Sequence, residues 1–106
     1  MKLLSTQMIV NENGDIIMGS GRLAILESIG RTGSINQTAK ELNMSYKTVW
    51  SKIKSTEKHF GKPVVSADRK TGSCLTREGK NLAENFRKLK QRCILADDTI
   101  FADIFL

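Results

Sequence analysis

A chain of 106 residues with 40% hydrophobic side chains buries one small core, which excludes a two-domain enzyme built around a cofactor cleft. Seventeen Lys and Arg against eleven Asp and Glu leave a net charge of +6, which favours a polyanionic partner such as nucleic acid. No apolar run exceeds four residues, and no charged start leads into an apolar stretch and a small-residue cleavage site. The expectation is a cytoplasmic protein without membrane span or signal peptide.

The charge is concentrated in the middle of the chain. Residues 1–20 carry −1, 21–62 carry +5, 63–93 carry +5, and 94–106 carry −3. The reading is a basic working body whose ends serve packing or assembly. One histidine, His59, and two cysteines nineteen residues apart, Cys74 and Cys93, do not make a zinc ligand set, so no metal or other cofactor is expected. The cysteines read as free thiols of a reducing compartment, with a redox-sensing or intersubunit role as the alternative. Without a nucleophile–base pair, paired carboxylates or a glycine-rich phosphate loop, no catalytic residue is assigned.

The first element is a β-hairpin within 1–19. Met8-Ile9-Val10 and Ile16-Ile17-Met18 flank Asn13-Gly14, a pair that tolerates the positive φ angles of a tight turn. From Ser20 the period becomes helical, with Leu23, Leu26 and Ile29 as the stripe, Ser20 as the cap, and Gly30 and Gly33 as the stop. Ser34 and Gln37 stand in capping-box spacing, which predicts a short helix over about 34–42. After Asn43-Met44, Ser45 caps a second helix over about 46–58, with Val49, Trp50, Ile53 and Phe60 as its apolar positions. Three helices therefore fill 20–60.

Past Pro63 the pattern turns β-like, and Val64–Ala67 and Ser73–Leu75 flank the basic turn Asp68–Gly72. This predicts a charged hairpin over 63–75. Thr76 then caps a long helix starting at about Arg77, which together with a separate C-terminal tail, 94–106, fills 76–106. Its Leu82, Phe86, Leu89, Cys93, Ala96 and Ile100 recur at spacings of 4, 3, 4, 3 and 4, and Gly79 in the first turn weakens its start slightly. The whole reads as one domain, mainly α with small β-hairpins. It is a winged helix-turn-helix with an N-terminal β-hairpin and a long C-terminal helix.

In a helix-turn-helix the second helix enters the major groove with its N-terminal side chains at base edges. The candidate DNA-facing residues are Ser34, Gln37, Ser45, Tyr46, Lys47, Thr48, Ser51, Lys52 and Lys54, joined by Arg69 and Lys70 at the tip of the wing. Lys47 reaches a guanine edge or a phosphate, and the wing tip lies along the backbone or enters the minor groove. Ile35, Ala39, Leu42, Met44, Val49 and Ile53 form the core between the two helices, and Trp50 joins that apolar side, with stacking on a base or sugar as the alternative. The stripe Leu82, Phe86, Leu89, Cys93 is too long for a winged-helix core to cover, so it is assigned to a homodimer interface. The partners are then double-stranded DNA and a second copy. The alternative is a winged helix that binds protein or RNA.

Three stretches carry a family resemblance: Thr32-Gly33-Ser34-Ile35-Asn36-Gln37-Thr38-Ala39, Met44-Ser45-Tyr46-Lys47-Thr48-Val49-Trp50 and Leu75-Thr76-Arg77-Glu78-Gly79. They resemble the winged-helix DNA-binding domain of the ModE-type molybdate-responsive regulators, distantly akin to LysR-type regulators, over residues 8 to 95. The resemblance implies a dimeric transcriptional regulator with Gln37, Ser45, Tyr46, Lys47 and Ser51 facing DNA. Family members commonly add a C-terminal oxyanion-binding region, for which these 106 residues leave no room. The expectation is that any effector is sensed by a separate protein, and that the acidic, apolar stretch 94–106 packs on the first hairpin or on the partner subunit.

Overall fold

Short-range chemistry sets where each element begins. A computed structural model describes residues 1–68 and 70–106. The order is β1 (Ile9–Val10), β2 (Ile16–Met18), α1 (Ser20–Thr32), α2 (Ile35–Glu41), α3 (Tyr46–Phe60), β3 (Val65–Asp68), β4 (Gly72–Leu75) and α4 (Arg77–Phe105). Three helices start on the hydroxyl expected of them. Ser34 Oγ accepts from the Gln37 amide, Ser45 Oγ from Thr48 and Thr76 Oγ1 from Gly79, each at 3.0 Å. The capping box at Ser34 is half made, because the Gln37 side chain returns no bond among the described residues. The cap of α1 differs from expectation: Gly19 occupies that position without a side-chain bond, and Ser20 Oγ instead accepts from Lys90 Nζ at 2.9 Å. Gly30 lies inside α1, which ends only at Gly33.

Two antiparallel pairs complete the fold. In the first, Val10 faces Ile16, and the five-residue loop between them is held by Asn11. Its Oδ1 accepts from the amides of Asn13 and Asp15, so Gly14 alone takes positive φ and Asn13 does not. In the second, the register runs from Val65 opposite Leu75 to Asp68 opposite Gly72.

The core is formed by α1, α2, α3 and the start of α4 around Met18, Leu23, Ile25, Leu26, Ile29, Ala39, Val49, Ile53, Val64, Ala83 and Phe86. Ile35, Leu42 and Met44 pack against it from the helix-turn-helix, as their spacing predicts. One sequence expectation fails here, and another is incomplete. Phe86, assigned to a dimer interface, is 1% exposed inside this core, and Leu82 packs on it. Gly79 does more than weaken a helix start: a Cβ there would stand 2.1 Å from the Val64 carbonyl oxygen. Only glycine lets α4 come this close to the strand that leads into the wing. α4 then continues unbroken through the stretch read as a separate tail, 29 residues in all, or about 43 Å of helix.

Candidate nucleic-acid interface

α3 is anchored by one face and open on the other. Val49 is 0% exposed, Ile53 4% and Thr56 2%, whereas Tyr46, Lys47, Thr48, Ser51 and Lys54 are exposed. At 3.6 residues per turn the buried set spans one flank, and Lys47, Ser51, Lys54 and Lys58 line the opposite one. Arg22 fixes the angle of α3. Its guanidinium donates to the Ile16 carbonyl, to Thr56 Oγ1 and to Ser55 Oγ at 3.0, 3.1 and 3.3 Å, which ties the first hairpin and α1 to the back of the helix. Partial burial lowers the Arg22 pKa from its ordinary value.

α2 is held against α1 by a polar contact beside the core. Glu41 accepts from Ser28 Oγ at 2.7 Å and pairs with Arg31, and the Ser28 bond and then the Arg31 charge hold its carboxyl below the usual range against desolvation.

The wing is fixed beside α3 by two sets of bonds. Glu57, near the end of α3, accepts from the amides of Val64 and Val65 at 2.8 and 3.3 Å and from Lys54 Nζ at 3.2 Å. Burial pushes its carboxyl up, but the two amides and the Lys54 ammonium outweigh burial and leave it below the ordinary value. At the other strand the Ser73 amide donates to the Gly33 carbonyl at 2.9 Å. A Cβ at Gly72, which has φ of +83°, would lie 2.6 Å from the same oxygen. The wing is thus joined to the turn before α2. Between them runs an open cleft of about 270 Å³ lined by Ser34, Ile35, Asn36, Tyr46, Ala67 and Ser73 among others.

The candidate residues do not all meet on one surface. Ser34 and Tyr46 border the cleft, and Gln37, Ser45, Lys47, Thr48 and Ser51 are exposed nearby on α2 and α3 or, for Ser45, just before α3. The hydroxyls of Ser45 and Thr48 bond to each other at 2.9 Å as part of the cap. Lys52 lies apart from Lys54: it borders a crevice with Arg22, Ile25, Leu26, Ile53 and Thr56 on the side of α1. Lys54 is exposed but shares its ammonium with Glu57. Lys70 is exposed at the wing tip, where its amide donates to Asp68 Oδ1 at 2.8 Å. Arg69 lies outside the described residues.

Trp50 is where the sequence favours burial and the structure shows a surface residue. It is 46% exposed, one turn beyond Tyr46 at 50%, with Lys54 Nζ 5.6 Å from its ring centre. Being i+4 from Tyr46 and i+4 before Lys54 already placed it with the polar side. Its position beside Val49 suggested burial, but the 100° step between consecutive helical residues carries the indole out of the core.

This arrangement defines a class of protein, a winged helix-turn-helix with a polar, basic second helix. Residues 21–80 match the family described as bacterial regulatory helix-turn-helix protein, lysR family, and the chain belongs to that family. It is similar to the molybdenum-pterin-binding protein MopB of Rhodobacter capsulatus, 41% identical over 56% of this chain and 22% of that protein. It is also similar to the HTH-type transcriptional regulator CzcR of Bacillus thuringiensis (strain Al Hakam), 36% identical over 79% of this chain and 28% of the other. The molybdenum transport protein ModE of Azotobacter vinelandii is 33% identical over 65% of this chain and 27% of its own length. The chain thus spans about a quarter of the length of these relatives. The crystal structure of VV2_1132, a LysR family transcriptional regulator, shares the fold with a TM-score of 0.59 at 22% identity, over 81% of this chain and 31% of that one.

Proposed function

We propose that the chain is the DNA-binding part of a cytoplasmic, non-enzymatic transcriptional regulator, with α3 in the major groove and the wing on the adjoining backbone or minor groove. The observation that carries this reading is the division of α3: Val49 and Ile53 are buried, while Tyr46, Lys47, Ser51 and Lys54 face solvent beside a wing bonded at both strands. Lys47 makes no ion pair among the described residues, so its ammonium is available to a guanine edge or a phosphate. Family membership and the printed names of CzcR and ModE support the same reading. Fluorescence anisotropy with duplex DNA at two salt concentrations tests it. Binding should weaken steeply as salt rises, by the release of phosphate counterions. A chain that prefers single-stranded RNA, or binds no nucleic acid, contradicts the proposal.

The same reading includes a homodimer formed through the distal half of α4. Correcting for Phe86 and Leu82, the stripe open to a second copy is Leu89, Cys93, Ala96 and Ile100. Arg87, Lys88, Lys90 and Arg92 precede Cys93, and Asp97, Asp98 and Asp103 follow it. An antiparallel pair of α4 helices sets bases of one copy beside acids of the other, whereas a parallel pair opposes like charges. Leu89→Asp should turn a dimer into a monomer in sedimentation equilibrium, and a parent that is monomeric at tens of micromolar would contradict this.

Molybdenum figures in the printed names of MopB and ModE. For residues 1–106 we propose no oxyanion site, since Asp97, Asp98 and Asp103 at the end of α4 repel a dianion; effector sensing falls to another protein or region. Titration calorimetry with molybdate and tungstate should show only dilution heat, and a saturable signal would overturn this.

A further inference from the structure

The chain contains one tryptophan and one tyrosine, and both stand half-exposed one turn apart on α3. A tryptophan carries more apolar surface than any other side chain, so leaving it in water on the helix read as groove-facing forgoes more burial than any other placement would. The core-facing position beside it is taken by Val49, which is 0% exposed. The indole is also braced. Lys54 Nζ lies over its ring at 5.6 Å and is itself held by Glu57 Oε1 at 3.2 Å, the carboxylate that anchors the wing. A ring fixed this way loses little freedom on meeting a partner.

We propose that Trp50 reads sequence by packing its indole on the 5-methyl group of a thymine in the major groove. This rests on the DNA-binding reading above and names a residue and a base for it. The major groove displays one apolar feature, the thymine methyl, and the apolar side chains that read DNA there do so by contact with it. Trp50 belongs to the first two turns of α3, the end that reaches base edges in a helix-turn-helix. Tyr46 and Lys47, one turn earlier, contact phosphate or base alongside it, and Lys54 is placed to meet the adjoining phosphate while capping the ring.

The test uses a duplex obtained by selection from a random pool with the parent chain. Thymines are replaced singly by deoxyuridine, which removes the methyl and leaves every hydrogen-bonding group. The parent should lose about fourfold in affinity at one thymine per half-site, the value of one buried methyl-sized group. Trp50→Ala should bind the thymine duplex more weakly and show no further loss at that deoxyuridine, while Trp50→Phe should keep part of the contrast. Quenching of the single-tryptophan fluorescence on DNA binding provides a readout in the parent that needs no variant. Loss at the same thymine in parent and Trp50→Ala alike, or no loss at any thymine, overturns the proposal. So does equal weakening on all duplexes in Trp50→Ala, which assigns the ring to the sugar-phosphate backbone. If the alanine variant does not fold, as judged by circular dichroism, the contrast between the parent and Trp50→Phe decides. A parent that selects no duplex at all contradicts the DNA-binding reading itself, and is distinguished by the absence of any binding.

Discussion

α4 is one helix in two environments. From Arg77 to Phe86 it buries Gly79, Ala83 and Phe86 against α1 and Val64, and Arg87 and Lys90 tie it to Glu27 and Ser20 at 2.7 and 2.9 Å. From Gln91 onward no residue is buried. Leu95, Ile100, Ile104 and Phe105 are 71, 57, 68 and 59% exposed, and contacts such as that of Ser5 Oγ with Asp97 and the placing of Leu3 beside Phe101 link this half to the N-terminal segment. The apolar period is the same in both halves. The difference lies in what each half meets, so a continuous stripe marks amphipathicity without saying whether the apolar face closes a monomer core or waits for a partner.

Substitutions in the two halves should therefore differ sharply. Phe86→Ala opens a cavity in the core and should cost about 3–5 kcal/mol of stability in urea unfolding. A loss under about 1 kcal/mol would mean that α4 docks more loosely than described. Gly79→Ala forces α4 away from Val64 and should cost about 1–3 kcal/mol, with the wing displaced. Amide exchange at Val64 and Val65 would register that displacement.

Glu57→Gln, at the anchor of the wing, should cost less than Phe86→Ala. Its carboxylate is 15% exposed and accepts two backbone amides, so the substitution should cost about 1–2 kcal/mol at neutral pH. Because the folded-state pKa of Glu57 is lowered, its stabilisation is complete above the unfolded carboxyl value of about 4.3 and is lost as pH falls through the folded value. The gap between parent and Glu57→Gln should be flat from neutral pH down to about 5 and close below about 4. A gap independent of pH would assign the effect to packing. Ile104→Ser, in the distal half, should change unfolding of the dilute chain by no more than about 0.5 kcal/mol.

The order of the eight elements was legible in the sequence because it depends on neighbours a few residues apart. Ser34, Ser45 and Thr76 cap helices through bonds to amides three residues on, and Val65 pairs with Leu75 across a short polar turn. The helix-turn-helix core and the exposed faces of Tyr46 and Lys47 follow from periodicity alone. What could not be read depends on contacts between distant segments. Phe86 lies in the core because the start of α4 reaches α1, Gly79 is required by the carbonyl of Val64, and Ser20 gives up its cap to bond Lys90 seventy residues away. Trp50 was misplaced for a local reason, an apolar side chain weighed by type when its helical angle decided the matter.

Whether the outward face of α3 reads DNA sequence is decided by comparing selected and random duplexes with the parent, Lys47→Ala and Tyr46→Ala. Both variants should keep the parent's unfolding midpoint, since both side chains are exposed. Lys47→Ala, if that side chain meets a base, should lose about 1–3 kcal/mol of preference for the selected duplex, with discrimination relaxed at one position per half-site. Unchanged affinity and unchanged discrimination in both variants would contradict the account.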